Sequence, residues 1–254
     1  MIFIFLVGYY LGKKSLFKQT LNFSKEISNF ISYSQYLEDL ILFLVFYDVS
    51  NGFYIDVGAN DPNYFSVTKS FYLHGWYGIN IEPLPNKYEA LVKYRNRDIN
   101  LEIGVGEKEG NATFYLKGTG STLIKNYSTN NNTKEMNIKI NTMLNICKKY
   151  VPKNTIIQFC KIDVEGSERN VLLGYDFKNY RPKVFCIEST LPGTSIPSFD
   201  SFEDILFKND YSFAYQYKIN RFYIDNKITG LREKFIKAEK YLEIYCKNKN
   251  ITNI

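Results

Sequence analysis

One histidine, His74, is all the imidazole this 254-residue chain contains, and its four cysteines form no Cys-x-x-Cys pair. Cys147, Cys160, Cys186 and Cys246 lie far apart, and Cys160 and Cys186 fall inside strands predicted to be buried. Such a set excludes a disulfide framework and a zinc site, and reads as the reduced core thiols of a cytoplasmic protein. No Gly-x-Gly-x-x-Gly string occurs, which argues against a nicotinamide-dependent oxidoreductase. Long apolar runs are missing as well. Met1 to Leu11 is apolar and is followed by Lys13, Lys14 and Lys18, but it falls well short of the roughly 20 residues needed to span a bilayer. It also lacks the basic start and small-residue cleavage site of a signal peptide. Two readings stay open for it, a helix docked on its own domain and a shallow anchor on a membrane surface, and neither implies export.

What is present suits one well-filled α/β domain with small extensions. A content of 45% hydrophobic and 17% aromatic residues excludes disorder. The formal charge of +6 comes from 32 scattered basic residues, mostly lysine. That distribution describes a solvated surface and no nucleic-acid footprint.

Residues 15 to 48 read as helix, with Leu37, Leu40, Ile41, Phe43, Leu44 and Val45 forming an apolar face. Strands at Phe53 to Val57, Tyr77 to Glu82 and Ile99 to Val105 then alternate with helices at Ser66 to Leu73 and Lys87 to Asn96. This alternation predicts right-handed crossovers and a parallel sheet with helices on both faces. A short extra strand follows at Ala112 to Leu116, then a loop opened by Gly118 to Thr122 and a polar surface loop at Asn126 to Lys134. Helix returns near Asn141 to Lys149. Ile156 to Ile162 is a near-continuous apolar run of the kind found in fully buried parallel strands. A helix through Val171 and Leu172, a strand at Lys183 to Glu188 and a helix at Phe202 to Asn209 come next. Tyr211 to Tyr217 and Arg221 to Asp225 are expected to form an antiparallel hairpin at the sheet edge. Leu231, Phe235, Ala238, Leu242 and Tyr245 mark a closing amphipathic helix that packs on its own domain.

Chemistry enters with two strings, Gly52-Phe-Tyr-Ile-Asp-Val-Gly58-Ala-Asn60 and Gly75-Trp-Tyr-Gly-Ile-Asn-Ile-Glu82-Pro83. A small-residue turn lets backbone approach a ligand, and a carboxylate 24 residues beyond Gly58 can accept both hydroxyls of a ribose. Glu82 and Asp163 read as functional because buried strand ends would otherwise hold charges without partners. Asp163, Glu165 and Glu188 converge at the carboxyl ends of neighbouring strands, where open α/β sheets bind ligands. Glu165 is a candidate base, with capping of the following helix as the alternative, and Glu188 reads as its neighbour. The three carboxylates also offer the oxygen ligands that a hard ion such as Mg²⁺ prefers, but no Asp-Asp pair or histidine joins them, and no metal is assigned. His74, the one group with a natural pKa near neutrality, is a catalytic candidate, weighed against capping or packing at a helix end. Gln35 and Glu38 read either as contacts of the bound ligand or as caps of their helix.

Tyr33-Ser-Gln-x-x-Glu38-Asp39, Ile55-Asp-Val-Gly-Ala-Asn60, Asn80-Ile-Glu-Pro83, Lys161-Ile-Asp-Val-Glu-Gly-Ser-Glu168 and Asn220-Arg-Phe-Tyr223 together resemble the FkbM family of S-adenosylmethionine-dependent methyltransferases. The resemblance runs from about residue 32 to 228 in family order, and Lys161 to Glu168 is its most specific element. It implies a Rossmann-like seven-stranded sheet with a final antiparallel hairpin. By the same resemblance Gly58 and Asn60 frame the methionine moiety, Glu82 holds the ribose and Pro83 flanks ribose and adenine. Gly104, Val105 and Gly106 border the adenine, and Asp163 closes the pocket. One departure is Gly58-Ala-Asn-Asp-Pro62 in place of the commoner Gly-x-Gly turn, with Pro62 fixing a backbone angle just beyond the ligand loop. The expected organisation is an extension over 1–31, a methyltransferase domain over 32–229 and a helical tail over 230–254. Family usage points to an oxygen of a sugar in a bacterial surface glycan or its lipid-linked precursor as acceptor.

The anchor reading of residues 1–18 is directly testable. The full chain should cosediment with anionic liposomes at low salt and release at high salt, whereas a chain starting near Ser24 should stay soluble and still bind cofactor. Indifference of both chains to liposomes, or unfolding on truncation, would make the segment a packed structural helix.

Overall fold

The buried strands set the frame. In the computed structural model, which describes residues 30–116, 120–125 and 134–251, every residue of β1 (Phe53–Val57) is buried. The chain reaches it through α1 (Glu38–Val45) and leaves through α2 (Lys69–Leu73). Next come β2 (Tyr77–Ile81), α3 (Pro85–Tyr94), β3 (Ile99–Leu101), β4 (Gly104–Val105), β5 (Gly110–Leu116) and β6 (Lys134–Asn141). The second half holds α4 (Met143–Tyr150), β7 (Ile157–Ile162), α5 (Glu168–Leu173), β8 (Val184–Glu188) and α6 (Glu203–Lys208). It ends with β9 (Tyr211–Tyr217), β10 (Asn220–Asp225) and α7 (Leu231–Asn248).

Seven strands form one sheet in the order β3-β2-β1-β7-β8-β10-β9. The pairs from β3 through β8 are parallel, while β10 is antiparallel to both β8 and β9. The expected fold class therefore holds, including the closing hairpin, whose second strand lies inside the first. Order reverses between β1 and β7, where the chain builds outward first on one side and then on the other. Such a switch point opens a crevice at the carboxyl ends of the strands.

Side chains alternate across the sheet. Tyr54, Phe159, Val184 and Phe222 face α1, α2 and α7, whereas Ile55, Cys160, Ile162 and Phe185 face α4, α5 and α6. Leu231, Phe235, Ala238, Leu242 and Tyr245 are all buried, so the amphipathic α7 packs on its own domain. The four cysteines are free and buried. No helix among the described residues is long and apolar enough to cross a membrane, and residues 1–18 lie outside those described.

Three elements differ from expectation. Of the helix read over 15–48, residues 15–29 lie outside the described part, and only Glu38–Val45 of the remainder is helical. The chain before it wraps around Asp39, whose carboxylate accepts from Ser32 Oγ (2.6 Å), Tyr33 N (2.7 Å) and Ser34 Oγ (2.7 Å). A carboxylate that takes backbone and hydroxyl donors from several residues upstream turns the chain instead of extending a helix. The strand read over Ile99 to Val105 splits, because β4 leaves the main sheet to pair with β6 in a second sheet, β4-β6-β5. Gly104 permits the close approach: a Cβ there would lie 2.7 Å from Ile140 Cδ1 and 2.8 Å from Ile138 Cδ1. The sequence reading missed β6 itself.

Behind the crevice, Arg95 is fully buried. Its guanidinium donates to Ser66 Oγ (2.8 Å), Pro62 O (3.0 Å) and Thr68 O (3.2 Å) and faces Asp98 at 3.9 Å. Asp98 in turn accepts from Tyr54 Oη, Gly78 N and Asn80 Nδ2. The group thus fastens the 62–68 loop to β1, β2 and the start of β3. Arg95→Met should cost about 3 to 5 kcal/mol in urea unfolding, since Asp98 and two carbonyls lose their buried partner. A loss under about 1 kcal/mol would show that the loop is held by other contacts.

Candidate active site

A cavity of about 710 Å³ opens at the switch point, floored by the ends of β1, β2, β7 and β8 and roofed partly by the small sheet. Its floor begins with the turn after β1. Gly58 has φ +78°, and a Cβ there would stand 1.9 Å from Asp163 O, so no side chain fits. Gly58 N and Ala59 N both donate to Ile81 O, and Asn60 again takes a left-handed φ of 48°. The turn consequently presents backbone where a side chain would fill the crevice.

Glu82 fixes that turn from the next strand. Its Oε2 accepts from Asn60 N and its Oε1 from Leu84 N, each at 2.9 Å. Burial raises its pKa, against which these two amides act. Each oxygen keeps a second lone pair for a ligand hydroxyl.

Lys161 joins the two halves of the site. Its Nζ donates to Gly58 O at 2.9 Å and faces Asp163 Oδ2 at 3.3 Å and Asp56 Oδ1 at 3.6 Å. Burial opposes its charge, but Asp163 and Asp56 outweigh burial and hold its pKa above the ordinary lysine range. Asp56 is tied further to Thr68 Oγ1 at 2.9 Å. Within the Lys161–Glu168 motif, Lys161 is a functional residue that the sequence alone does not single out. The available signal was a charge inside an otherwise apolar, fully buried strand, which requires partners.

Beyond β7 the chain takes two consecutive left-handed residues, Glu165 (φ 54°) and Gly166 (φ 97°). Glu168 Oε1 accepts the amides of Val164 (3.2 Å) and Gly166 (3.1 Å) in this turn. Burial raises Glu168 to about 7 despite those bonds. Across the turn, Thr122 Oγ1 donates to Glu165 O at 2.7 Å, and Thr122 also pairs with Tyr115 through both backbone bonds. Segment 120–125 is thereby latched over the carboxylates. One oxygen from each of Asp163, Glu165 and Glu188 lies within 4.8 Å of the others. Burial first, then the charges of Asp163, Glu165 and Glu168, push Glu188 well above the usual carboxylate range.

The cavity brings together Gln35, Gly58, Asn60, Glu82, Pro83, Gly104, Val105, Asp163, Glu165 and Glu188. Gly106 does not line it. His74 is not among them and lines a separate cavity of about 820 Å³ with Phe43, Phe71 and Trp76. It ends α2, before β2 begins, and so lies at the amino edge of the sheet, opposite the cavity. There its Nδ1 sits 2.7 Å from Ser70 O, and its ring packs near Phe43. Glu38 also stands apart, because its Oε1 accepts from Asn220 Nδ2 (2.6 Å) and its Oε2 from Tyr36 N (2.9 Å). Gln35, three residues before it, does reach the cavity.

Comparison with known proteins gives the arrangement a family. No curated protein matches the chain. Among solved structures, the crystal structure of Methyltransferase FkbM from Methylobacillus flagellatus KT is 16% identical, with a TM-score of 0.44 over 69% of this chain and 44% of that one. This chain thus spans less than half of that protein's length. A profile of the Methyltransferase FkbM domain matches residues 56–213, from Asp56 in β1 to Phe213 in β9. By that match, which takes in the turn, Glu82 and the whole carboxylate cluster, the chain belongs to the FkbM methyltransferase family.

Proposed function

We propose that this methyltransferase uses S-adenosylmethionine and methylates an oxygen of a sugar belonging to a surface glycan or its lipid-linked precursor. The observation that carries the reading is Glu82 beside the left-handed Gly58 turn: a buried carboxylate with spare lone pairs next to exposed backbone, as a nucleoside with a compact amino-acid tail requires. When bound, S-adenosylmethionine supplies an electrophilic methyl on a cationic sulfur. Asp163 and Glu165 give the cavity the negative potential that favours such a cation. Gln35 and the Pro83 segment bound the cofactor from either side of the turn. Methyl transfer then needs mainly alignment of the acceptor with the methyl. Glu165 would take the proton of the acceptor hydroxyl as base while the cofactor's methyl is transferred.

The acceptor would arrive at the mouth, where Tyr36, Phe65 and the Pro192–Ser195 loop border the cavity. Aromatic faces with polar neighbours suit the mixed apolar and hydroxyl surface of a sugar ring. A nicotinamide dinucleotide fits less well. Its pyrophosphate needs a helix starting at the turn, whereas α2 begins only at Lys69, beyond Pro62 and the Arg95-bound loop.

Calorimetry should give micromolar binding of S-adenosylhomocysteine and none of NAD. Tighter binding of NAD would overturn the assignment. Glu82→Gln should weaken S-adenosylhomocysteine about tenfold or more while the domain still folds, with a modestly lower unfolding midpoint because the amide nitrogen cannot accept from Asn60 N or Leu84 N. An unaltered dissociation constant would remove Glu82 from the ribose position.

A further inference from the structure

We infer that Asp163, Glu165 and Glu188 form a binding site for one hard divalent cation, Mg²⁺ in the first instance, at the acceptor end of the cavity. Three carboxylates crowd one corner, with an oxygen of each within 4.8 Å of the others. Proximity alone would not distinguish a site from a chance cluster. The second observation is Glu188: it is 6% exposed, lines the cavity, and its Oε2 is buried with no hydrogen-bond partner. A buried carboxylate oxygen left unpaired costs heavily unless a proton, a cation or a donor meets it. Among the described residues lining the cavity, Lys161 is the one side chain with a positive charge. Its Nζ is already divided among Gly58 O, Asp56 and Asp163, and no bond joins it to Glu188.

The donor chemistry narrows the ion. The cluster contains only carboxylate oxygens, without imidazole or thiolate, which suits Mg²⁺ or Mn²⁺ and not zinc. Mg²⁺ keeps several waters when it has few protein ligands, and those positions face the open cavity. One of them is where an acceptor hydroxyl would bind and be polarised, with Glu165 then serving as ligand in place of base, a role that rests on the methyl-transfer reading. Binding of the ion itself does not.

The full chain, stripped with EDTA and desalted, should be titrated with Mg²⁺ by calorimetry and with Mn²⁺ by electron paramagnetic resonance. One ion per chain is expected. Glu188→Gln and Glu165→Gln should each weaken it about tenfold or more, and because both replacements are isosteric and relieve repulsion, the metal-free variants should melt no lower than wild type. Absence of Mn²⁺ binding by the wild type up to about 10 mM would overturn the site. Binding unchanged in both variants would place the ion elsewhere and overturn it equally. S-adenosylhomocysteine binding to the metal-free wild type is a separate readout: its failure would sink the methyl-transfer reading while leaving the ion site standing.

Discussion

The crevice depends on an ammonium group where a parallel sheet ordinarily places only aliphatic carbon. Removing a charge of this kind from water costs several kcal/mol, so Lys161 is tolerable only with its three oxygen partners in place. Those partners come from β1, from the turn after it and from the end of β7. Any separation of the two strands would strand the charge. The switch point is therefore held at fixed width by electrostatics as well as by the ladder between Asp56 and Lys161.

Around this centre, other buried polar groups set one wall each. Arg95 and Asp98 fasten the loop that follows the Gly58 turn. Asp39 gathers Ser32, Tyr33, Ser34 and Ser70 into the knot that precedes Gln35 and Tyr36. Glu38 ties that knot to Asn220 in the last strand. Networks of this sort stabilise only when fully partnered, which makes them specific to one arrangement of loops. Hydrophobic packing on the two faces of the sheet supplies the bulk stability, and the polar networks decide where the loops lie.

Much of this was legible in the sequence because it follows from periodicity and turn chemistry. The strand alternation, the closing hairpin, Glu82 and Asp163 could be read from apolar runs ending in small or acidic residues. β6 was hidden because its alternation of Met136, Ile138 and Ile140 follows an Asn-rich stretch that reads as loop, and its pairing with β5 is tertiary. The position of His74 was not legible, because an imidazole's intrinsic pKa says nothing about which edge of the sheet it occupies. Lys161 was overlooked for the opposite reason: a lysine looks like surface until its neighbours in the fold are known. Glu38 and Asn220 each stood in a noted motif, yet a contact across 182 residues leaves no local trace.

That long contact bears on how the protein is made. β10 inserts between β8 and β9, so the strand emerging last from the ribosome is also the one that completes the sheet. Asn220, at its first position, then meets Glu38, which left the ribosome far earlier. Until that meeting the segment carrying Gln35 lacks one of its anchors, whereas the Gly58 turn and Glu82 draw theirs from earlier strands. A nascent chain would therefore hold the nucleoside half of its cavity before the wall that closes the other half. Closure of that wall thus waits on synthesis as far as β10.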